Sequence, residues 1–392
     1  MELTKKEQAL FDGEKGEAAR QSMEILVALG TIYGAKNMIH VSSVQVAGVS
    51  YKTIGAAGLE YLKDMVKGGA KVTVPTFLNP AGMDRAQWKE MKVPPSFAEK
   101  QIDVLDTFEK MGIRMTCTCT PYLIGIRPKV GEHVAWSESS AVSFANSVLG
   151  ARTNREGGPS ALAAGICGVT PNYGYHLDEN RFASMLVNVE CDVKTPSDFG
   201  ALGAFAGEIS KGKNVAYLGI PKSHASEDRL KGLGAAMAAW GSNALYYAKG
   251  VTPEWKMGDS PEQVTVGKKE LAAMREKLGM DNAPELVAIG CPHASLDEIS
   301  EVAHFVKGKK LACSLWVCTA RETKEKADKA GYTAFIEAAG GRVVADTCMV
   351  VCPIEEMGFG RVAVNSGKAG KYLSAKEKVR FGDLHDIITF KK

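Results

Sequence analysis

The chain has 392 residues, of which 45% are hydrophobic and 24% charged, and its 48 basic and 45 acidic side chains leave a net charge of +3. This length exceeds what one simple core holds, so we expect several packed lobes. The near-balanced charge gives no broad cationic surface for nucleic acid. The charged N-terminus lacks the apolar segment of a signal peptide, and no apolar run is long enough to cross a bilayer. We therefore expect a cytoplasmic protein with neither nucleic acid nor membrane as partner.

Short β-rich runs alternate with longer helical runs along the chain, which predicts an α/β fold with mainly parallel sheets. A first helix is predicted over residues 17–29, ending near Gly30. Strands are predicted at residues 38–46, 71–77, 114–119, 184–189, 215–220, 286–289, 311–317 and 342–351. The polar stretch 255–268 is predicted to connect two lobes. The lobes that we expect from this pattern span residues 1–150, 151–280 and 281–392.

The segment 286–351 is the clearest example of the alternation, because it has a β-α-β-α-β pattern. Ser295 and Glu298 have the S-x-x-E spacing of a capping box that starts the first of its helices. The second helix is predicted over residues 321–339, and Gly340 is placed to end it. In doubly wound sheets of this kind, functional groups collect at the carboxyl ends of the strands.

Nine cysteines in a chain without a secretion signal favour free thiols or metal ligands over a disulfide framework. Cys291 directly follows a predicted strand, and Cys348 lies late in another, where Cys352 is a competing candidate. Cys119 adjoins a predicted turn, and for that reason we favour it over Cys117. Spacing alone leaves open a shared metal, which zinc could also be, and an ordinary core role. Four further cysteines lie within apolar runs and are expected in the core: Cys167, Cys191, Cys313 and Cys318.

Several strand-to-helix junctions carry residues suited to binding an anion. The candidates at these junctions are Gly48, Val49, Ser50, Asn79, Pro80, Glu138 and Ser139. The first three precede a helix predicted from about residue 53, whose backbone N–H groups and dipole attract anions. The alternative is an ordinary helix entry that Ser50 caps. Lys368 lies between glycines, where its ammonium could reach a carboxylate or phosphate, although such a lysine is more often solvated.

Histidine and arginine give weaker signals. His293 stands two residues after Cys291, so a structural role or a role behind a ligand is expected for it, with catalysis as the alternative. Arg152 and Arg155 precede a glycine-rich turn, where they could bind an oxyanion, but surface ion pairs are the expected arrangement.

Four segments together resemble the aconitase X family: MTCTCTPYLIG at 115–125, the long run at 135–176, AIGCPHASLDE at 288–298 and ADTCMVVCPIEEMG at 345–358. The resemblance covers almost the whole chain. It implies an aconitase-like fold of several three-layer α/β/α lobes, with mainly parallel sheets around a central cluster site. It also implies a 4Fe-4S cluster, isolated as 3Fe-4S if one iron is lost, with one iron open to substrate. On the matching motifs its ligands are Cys119, Cys291 and Cys348, and the seven junction residues above together with Lys368 are the corresponding substrate contacts.

The family contains cis-3-hydroxy-L-proline dehydratases, commonly with a fused swivelling domain, and archaeal two-subunit enzymes that dehydrate phosphomevalonate. Because the chain ends at Lys392 without room for that domain, we expect the large subunit of a heterodimer or higher assembly. The implied hydro-lyase reaction converts (R)-5-phosphomevalonate to trans-anhydromevalonate 5-phosphate in an archaeal-type mevalonate pathway. A hydroxyproline dehydratase and a non-catalytic cluster-binding or scaffold subunit are the alternatives. No motif here supplies a convincing base, which by analogy with aconitases we expect on the small swivelling-domain subunit.

Overall fold

The computed structural model describes residues 1–375 and 378–391. Parallel sheets in three successive parts of the chain organise these residues, and helices cover the sheets. The predicted α/β class with mainly parallel sheets is therefore confirmed. Within the described ranges, we find no helix that combines the length and the apolar character needed to cross a membrane.

The first part of the chain contains, in order, α1 (Lys5–Phe11), α2 (Glu17–Ile32), β1 (Met38–His40), β2 (Val44–Val46), α3 (Tyr51–Lys67), β3 (Thr76–Leu78), α4 (Pro95–Lys110), β4 (Ala135–Trp136), α5 (Ser139–Ser147), α6 (Gly158–Cys167) and β5 (Val169–Pro171). The first sheet has the order β3-β2-β4 with both pairs parallel. Apolar residues of α2, α3, α4 and α6 bury this sheet. A separate antiparallel pair joins β1 to β5. The lobe boundary expected at residue 150 stays a prediction, and it would place these two strands in different lobes.

The middle part contains β6 (Ala183–Val189), α7 (Pro196–Ser210), β7 (Val215–Leu218), α8 (Glu227–Gly241), β8 (Tyr246–Ala248), β9 (Met257–Val266) and α9 (Lys268–Leu278). Its sheet, the middle sheet, has the order β8-β7-β6-β9, and all pairs are parallel. The prediction that residues 255–268 connect two lobes is wrong, because β9 lies there and pairs with β6 inside the middle sheet. The sequence of β9 is polar because β9 is an edge strand, and most of its side chains are at least partly exposed.

The last part contains β10 (Leu286–Ile289), α10 (Leu296–Val306), β11 (Ser314–Thr319), α11 (Arg321–Lys329), α12 (Tyr332–Ala339), β12 (Arg342–Ala345), β13 (Arg361–Val364), α13 (Gly367–Leu373), β14 (Lys378–Phe381) and α14 (Leu384–Ile387). The last sheet has the order β12-β11-β10-β13-β14 and is wholly parallel. Separate apolar cores lie on its two faces, which makes this part three-layered. The strands and the first helix of the predicted β-α-β-α-β unit are confirmed, as is the capping box at Ser295 and Glu298, while the second helix is divided into α11 and α12.

The strand order of the last sheet reverses between β10 and β13, and this reversal opens a crevice at their carboxyl ends. In open α/β sheets, ligands bind in such crevices. Cys291 follows β10 and Lys368 follows β13, so both residues lie at this point of the fold.

Several predicted element ends are displaced where the backbone turns. The first helix continues past Gly30 to Ile32, since Gly30 is a buried helical residue rather than the cap. Of the strand predicted at 114–119, only Arg114 pairs, in an isolated bridge to Phe77. The helix predicted at 321–339 is interrupted at Gly331, whose φ is +78°.

Candidate active site

Three cysteines from distant parts of the chain lie around one buried ion pair, formed by Lys368 and Glu138. Cys291 follows β10, Cys348 follows β12, and Cys119 lies in the segment beside β3. The charges of Lys368 and Glu138 act on the pKa of each of these thiols. Cys348 also acts on the pKa of Cys119 and of Cys291. The structure therefore brings together the three cysteines that the family resemblance implies as ligands.

Burial raises the pKa of all three thiols, while the ammonium of Lys368 opposes that shift. The Sγ atom of Cys119 also accepts the backbone N–H of His293 at 3.1 Å. A metal binds the thiolate, and metal binding releases the thiol proton, so a bound metal would offset the effect of burial. A set of soft sulfur donors beside a fixed cation fits iron–sulfur chemistry.

The spacing of these side chains differs from that of a single-ion site. In residues 1–375 and 378–391, no group of three Cys, His, Asp or Glu side chains could hold one metal ion. Cysteines that hold a cluster bind different iron atoms, so their sulfur atoms lie further apart than ligands of one ion.

The ion pair between Lys368 and Glu138 joins α13 to the N-terminus of α5, and both side chains are at most 8% exposed. Glu138 caps α5 by accepting the N–H of Ala141 at 2.8 Å, and the hydroxyls of Ser139 and Ser140 donate to it as well. Burial pushes the pKa of Glu138 upwards, but Lys368, the hydroxyl of Ser140 and the N–H of Ala141 bring it below its ordinary value. Burial likewise opposes the charge of Lys368, and Glu138 nevertheless raises the pKa of Lys368. Lys368 is thus a buried, charged residue rather than a solvated one.

Ser50 caps α3, as expected for an ordinary helix entry, which was the alternative to an anion site at this loop. Its hydroxyl accepts the N–H of Lys52 at 3.3 Å and donates to the carbonyl of Val351 at 2.8 Å. Lys52 Nζ donates to the carbonyl of Cys352 at 2.8 Å. Because Val351 and Cys352 belong to the turn after Cys348, the loop of Gly48, Val49 and Ser50 is held directly against a cysteine loop.

Asn79 and Pro80 lie on the other side of the same cysteine loop. The N–H of Cys348 donates to the carbonyl of Ala81 at 3.0 Å, and the N–H of Ala81 donates to the carbonyl of Asp346 at 2.8 Å. Within the described part of the chain, Oδ1 of Asn79 is buried without a hydrogen-bond partner. A buried acceptor of this kind costs free energy unless it is paired, so it favours a ligand that donates a hydrogen bond.

Cys117 and Cys352, the two competing ligand candidates, have surroundings that differ from those of Cys119 and Cys348. Cys117 has a φ of +40°, so the chain turns between it and Cys119. Its side chain packs in the core of the first sheet, where Asp346 and Arg321 are the charged groups that act most strongly on its pKa. Cys352 is fully buried, with its sulfur 3.8 Å from that of Met357. Cys119 and Cys348, rather than these two, lie beside the ion pair.

Sequence reasoning missed Gln45, which links a cysteine loop to the ion pair. Gln45 lies on β2 and is fully buried. Its Nε2 donates to the carbonyl of Thr118 at 3.0 Å, and its Oε1 accepts the N–H of Glu138 at 3.3 Å. The available signal was a polar residue in the middle of an otherwise apolar buried strand, VQV.

The fold and the site define a multi-lobed α/β protein whose parts meet at a buried site of cysteines and an ion pair. The chain belongs to the aconitase X family. Models described as aconitase X first domain, second domain and third domain match residues 1–179, 183–276 and 284–391. The family resemblance seen in the sequence is therefore confirmed.

Similar proteins cover nearly the whole chain. The phosphomevalonate dehydratase large subunit of Methanothermobacter thermautotrophicus is 55% identical over 376 residues, which are 95% of this chain and 93% of that protein. The phosphomevalonate dehydratase large subunit of Methanocaldococcus jannaschii is 50% identical, with 99% of each chain covered. The crystal structure of aconitase X from Thermococcus kodakaraensis, in its holo-form, superposes with a TM-score of 0.92 at 48% identity and 98% coverage of both chains.

Proposed function

We propose that this chain is the large catalytic subunit of a hydro-lyase that dehydrates (R)-5-phosphomevalonate to trans-anhydromevalonate 5-phosphate. The observation that carries the proposal is the 55% identity, over 95% of the chain, to a phosphomevalonate dehydratase large subunit. The buried site supports it, since removal of water from a hydroxy acid needs a Lewis acid for the hydroxyl, a base for the proton and a cation for the carboxylate.

We further propose that Cys119, Cys291 and Cys348 hold an iron–sulfur cluster, as 4Fe-4S when intact. When bound, such a cluster with one iron open to substrate supplies the Lewis acid for the departing hydroxyl. The fit rests on three sulfur donors that converge from separate loops on one ammonium group.

Lys368 supplies the fixed positive charge of the proposed site. Its ammonium is buried beside the thiols, where a cation stabilises developing negative charge more strongly than it would in water. Glu138 keeps this ammonium charged and fixes its position, and Ser139 in turn donates to Glu138 at 3.2 Å. Preorganised charge of this kind needs no rearrangement when the substrate reacts.

The remaining proposed contacts suit the other polar groups of the substrate. Oδ1 of Asn79 can accept a hydrogen bond from a substrate hydroxyl, and Pro80 fixes the turn that carries it. Gly48 and Val49 place backbone N–H groups just before the first turn of α3, where this loop can receive an anionic group. Gly55, with a φ of +60°, separates this turn from the rest of α3. The hydroxyl of Ser50 already donates to Val351, so it orders the loop and leaves the anion to the backbone.

The name of the relatives, large subunit, implies a smaller partner. We propose that this partner is a swivelling domain that forms a heterodimer or higher assembly with the chain, covers the crevice and supplies the base. A cytoplasmic location remains a prediction.

The test is an anaerobic assay of water loss by the purified chain, alone and with the co-expressed small subunit. We expect the complex to dehydrate 5-phosphomevalonate and the isolated chain to be nearly inactive. Equal rates for the chain with and without its partner would contradict the placement of the base. Dehydration of cis-3-hydroxy-L-proline but not of 5-phosphomevalonate would contradict the substrate.

A further inference from the structure

We propose that His293 is a positioning residue that holds the three cysteine-bearing loops in the arrangement that receives the cluster. The inference rests on the cluster assignment of the proposed function. It assigns to His293 no contact with the substrate, only control over where the three sulfur atoms lie.

His293 touches all three loops. It stands two residues after Cys291, and its backbone N–H donates to Sγ of Cys119 at 3.1 Å. Its ring Nδ1 lies 3.0 Å from Oγ1 of Thr118, the neighbour of Cys119. Its ring Nε2 lies 2.9 Å from the carbonyl oxygen of Thr347, the neighbour of Cys348. One imidazole therefore joins the residues next to two cysteines and is attached to the loop of the third.

The hydrogen-bond roles of the ring follow from its partners. The Thr347 carbonyl can only accept, so Nε2 of His293 carries a hydrogen and donates it. In the neutral ring Nδ1 then accepts from the hydroxyl of Thr118, whose Oγ1 in turn accepts the N–H of Thr120 at 3.1 Å. Both ring nitrogens are thereby satisfied within the protein, and the residue is fully buried. The ring has no polar atom left for a substrate, which argues for positioning rather than for catalysis.

A fourth contact attaches the middle sheet to the same residue. The carbonyl of His293 accepts Nζ of Lys231, on α8, at 3.2 Å. Lys231 is 2% exposed and is held by Asp228 at 2.8 Å and by Glu298. Side chains that orient metal ligands in this way change metal affinity about 10–100-fold when they are replaced.

The variants separate the two ring contacts. H293L removes both, H293Q can keep a donor for the Thr347 carbonyl, and H293N can keep a partner for Thr118. T118V removes only the hydroxyl that meets Nδ1 and keeps the shape of the side chain, so it also serves if H293L does not fold. The matched control is H176L, since His176 is also a buried histidine with a ring partner, at 2.9 Å on His133, away from the cysteines.

The first readout uses the cluster-free chain, in which alkylation of each cysteine is followed by mass spectrometry. We expect H293L to increase the alkylation rate of Cys119 and Cys348 about tenfold or more, because the loss of two buried hydrogen bonds makes local opening of their loops easier, with smaller increases in H293Q, H293N and T118V. Cys117 should be unchanged, and H176L should behave as the wild type does at all of these positions. Equal rates in H293L, T118V and the wild type would overturn the inference.

The second readout uses the anaerobically reconstituted chain, in which release of iron to a chelator is measured, together with the electron paramagnetic resonance spectrum after reduction with dithionite. We expect faster release and an altered spectrum in H293L and T118V but not in H176L. If the wild type binds iron, and H293L and T118V release it at the wild-type rate and show the wild-type spectrum, the inference is overturned. A wild type that binds no iron would instead contradict the proposed cluster, and the alkylation rates would then decide whether His293 positions the loops.

Discussion

Lys368 on α13 and Glu138 at the start of α5 form an ion pair that joins the last and first parts of the chain, with side chains 8% and 7% exposed. Removing one partner of such a pair leaves an uncompensated buried charge. Replacing Lys368 with methionine should therefore abolish activity and lower the free energy of unfolding by about 3–5 kcal/mol. Denaturant titration and the dehydration assay measure these two effects.

The matched control for this change is Lys371→Met on the same helix. Lys371 is exposed, and its ammonium lies 4.4 Å from the ring centroid of Trp240. An exposed cation–π contact contributes about 0.5–1 kcal/mol, so this variant should remain active and nearly as stable as the wild type. Equal losses in the two variants would contradict the special role of the Lys368–Glu138 pair.

Cys117 and Cys119 are two residues apart but should differ completely as ligands. Cys119→Ala should lose the visible absorption of the reconstituted cluster, because its sulfur lies beside Lys368 and Glu138. Cys117→Ala should keep that absorption and lose some stability, since Cys117 packs in an apolar core. Absorbance and iron content measure both outcomes, and the opposite pattern would transfer the ligand role to Cys117.

Glu254 holds two buried guanidinium groups, those of Arg152 at 2.7 Å and Arg181 at 2.8 Å. Arg152 thus lies in a buried ion pair rather than in the surface pair expected from the sequence. Glu254→Ala should lower the free energy of unfolding by about 3–5 kcal/mol, because Arg181 is fully buried and loses its counter-charge. Denaturant titration measures the loss. The exposed pair of Lys213 and Glu262 is the control, and Glu262→Ala should cost less than about 1 kcal/mol.

Burial lowers the pKa of His176 to about 3. The folded state therefore binds this proton more weakly than the unfolded state does, and stability is lost as pH falls below the unfolded pKa of about 6.5. Between pH 7 and pH 5 the wild type should lose about 2 kcal/mol more than His176→Asn. Unfolding free energies of both proteins across this range measure the difference. Parallel curves for the two proteins would show that His176 does not carry the effect.

The sequence predicted the parts of the fold that depend on local pattern. The capping box of Ser295 and Glu298, the helix entry at Ser50 and the three strands of the 286–351 unit follow from local residue spacing, and the structure has all of them. It could not predict β9, because an edge strand that faces solvent has the polar composition of a connection. The break of the predicted strand before Cys119 depends on the positive φ of Cys117, which no local signal indicates.

The candidate site was predictable only as separate pieces. Strand ends pointed to Cys291 and Cys348, and glycines flanked Lys368, but no spacing indicated that Lys368 would meet Glu138, 230 residues away along the chain. The same holds for His293, whose contacts to Thr118 and Thr347 join segments far apart in the sequence. Family resemblance supplied the combination of residues that local patterns could not.

The most direct test of the account is the electron paramagnetic resonance spectrum of the reconstituted complex before and after addition of 5-phosphomevalonate. The cluster is reduced with dithionite for the spectrum, because an intact 4Fe-4S cluster is otherwise diamagnetic, and water loss is followed in an unreduced portion of the same sample. We predict a cluster signal that depends on Cys119, Cys291 and Cys348, a change of that signal when the substrate is added, and turnover. A cluster signal that the substrate leaves unchanged, in a sample that does not remove water, would contradict the claim that the three cysteines place a cluster at the site of dehydration.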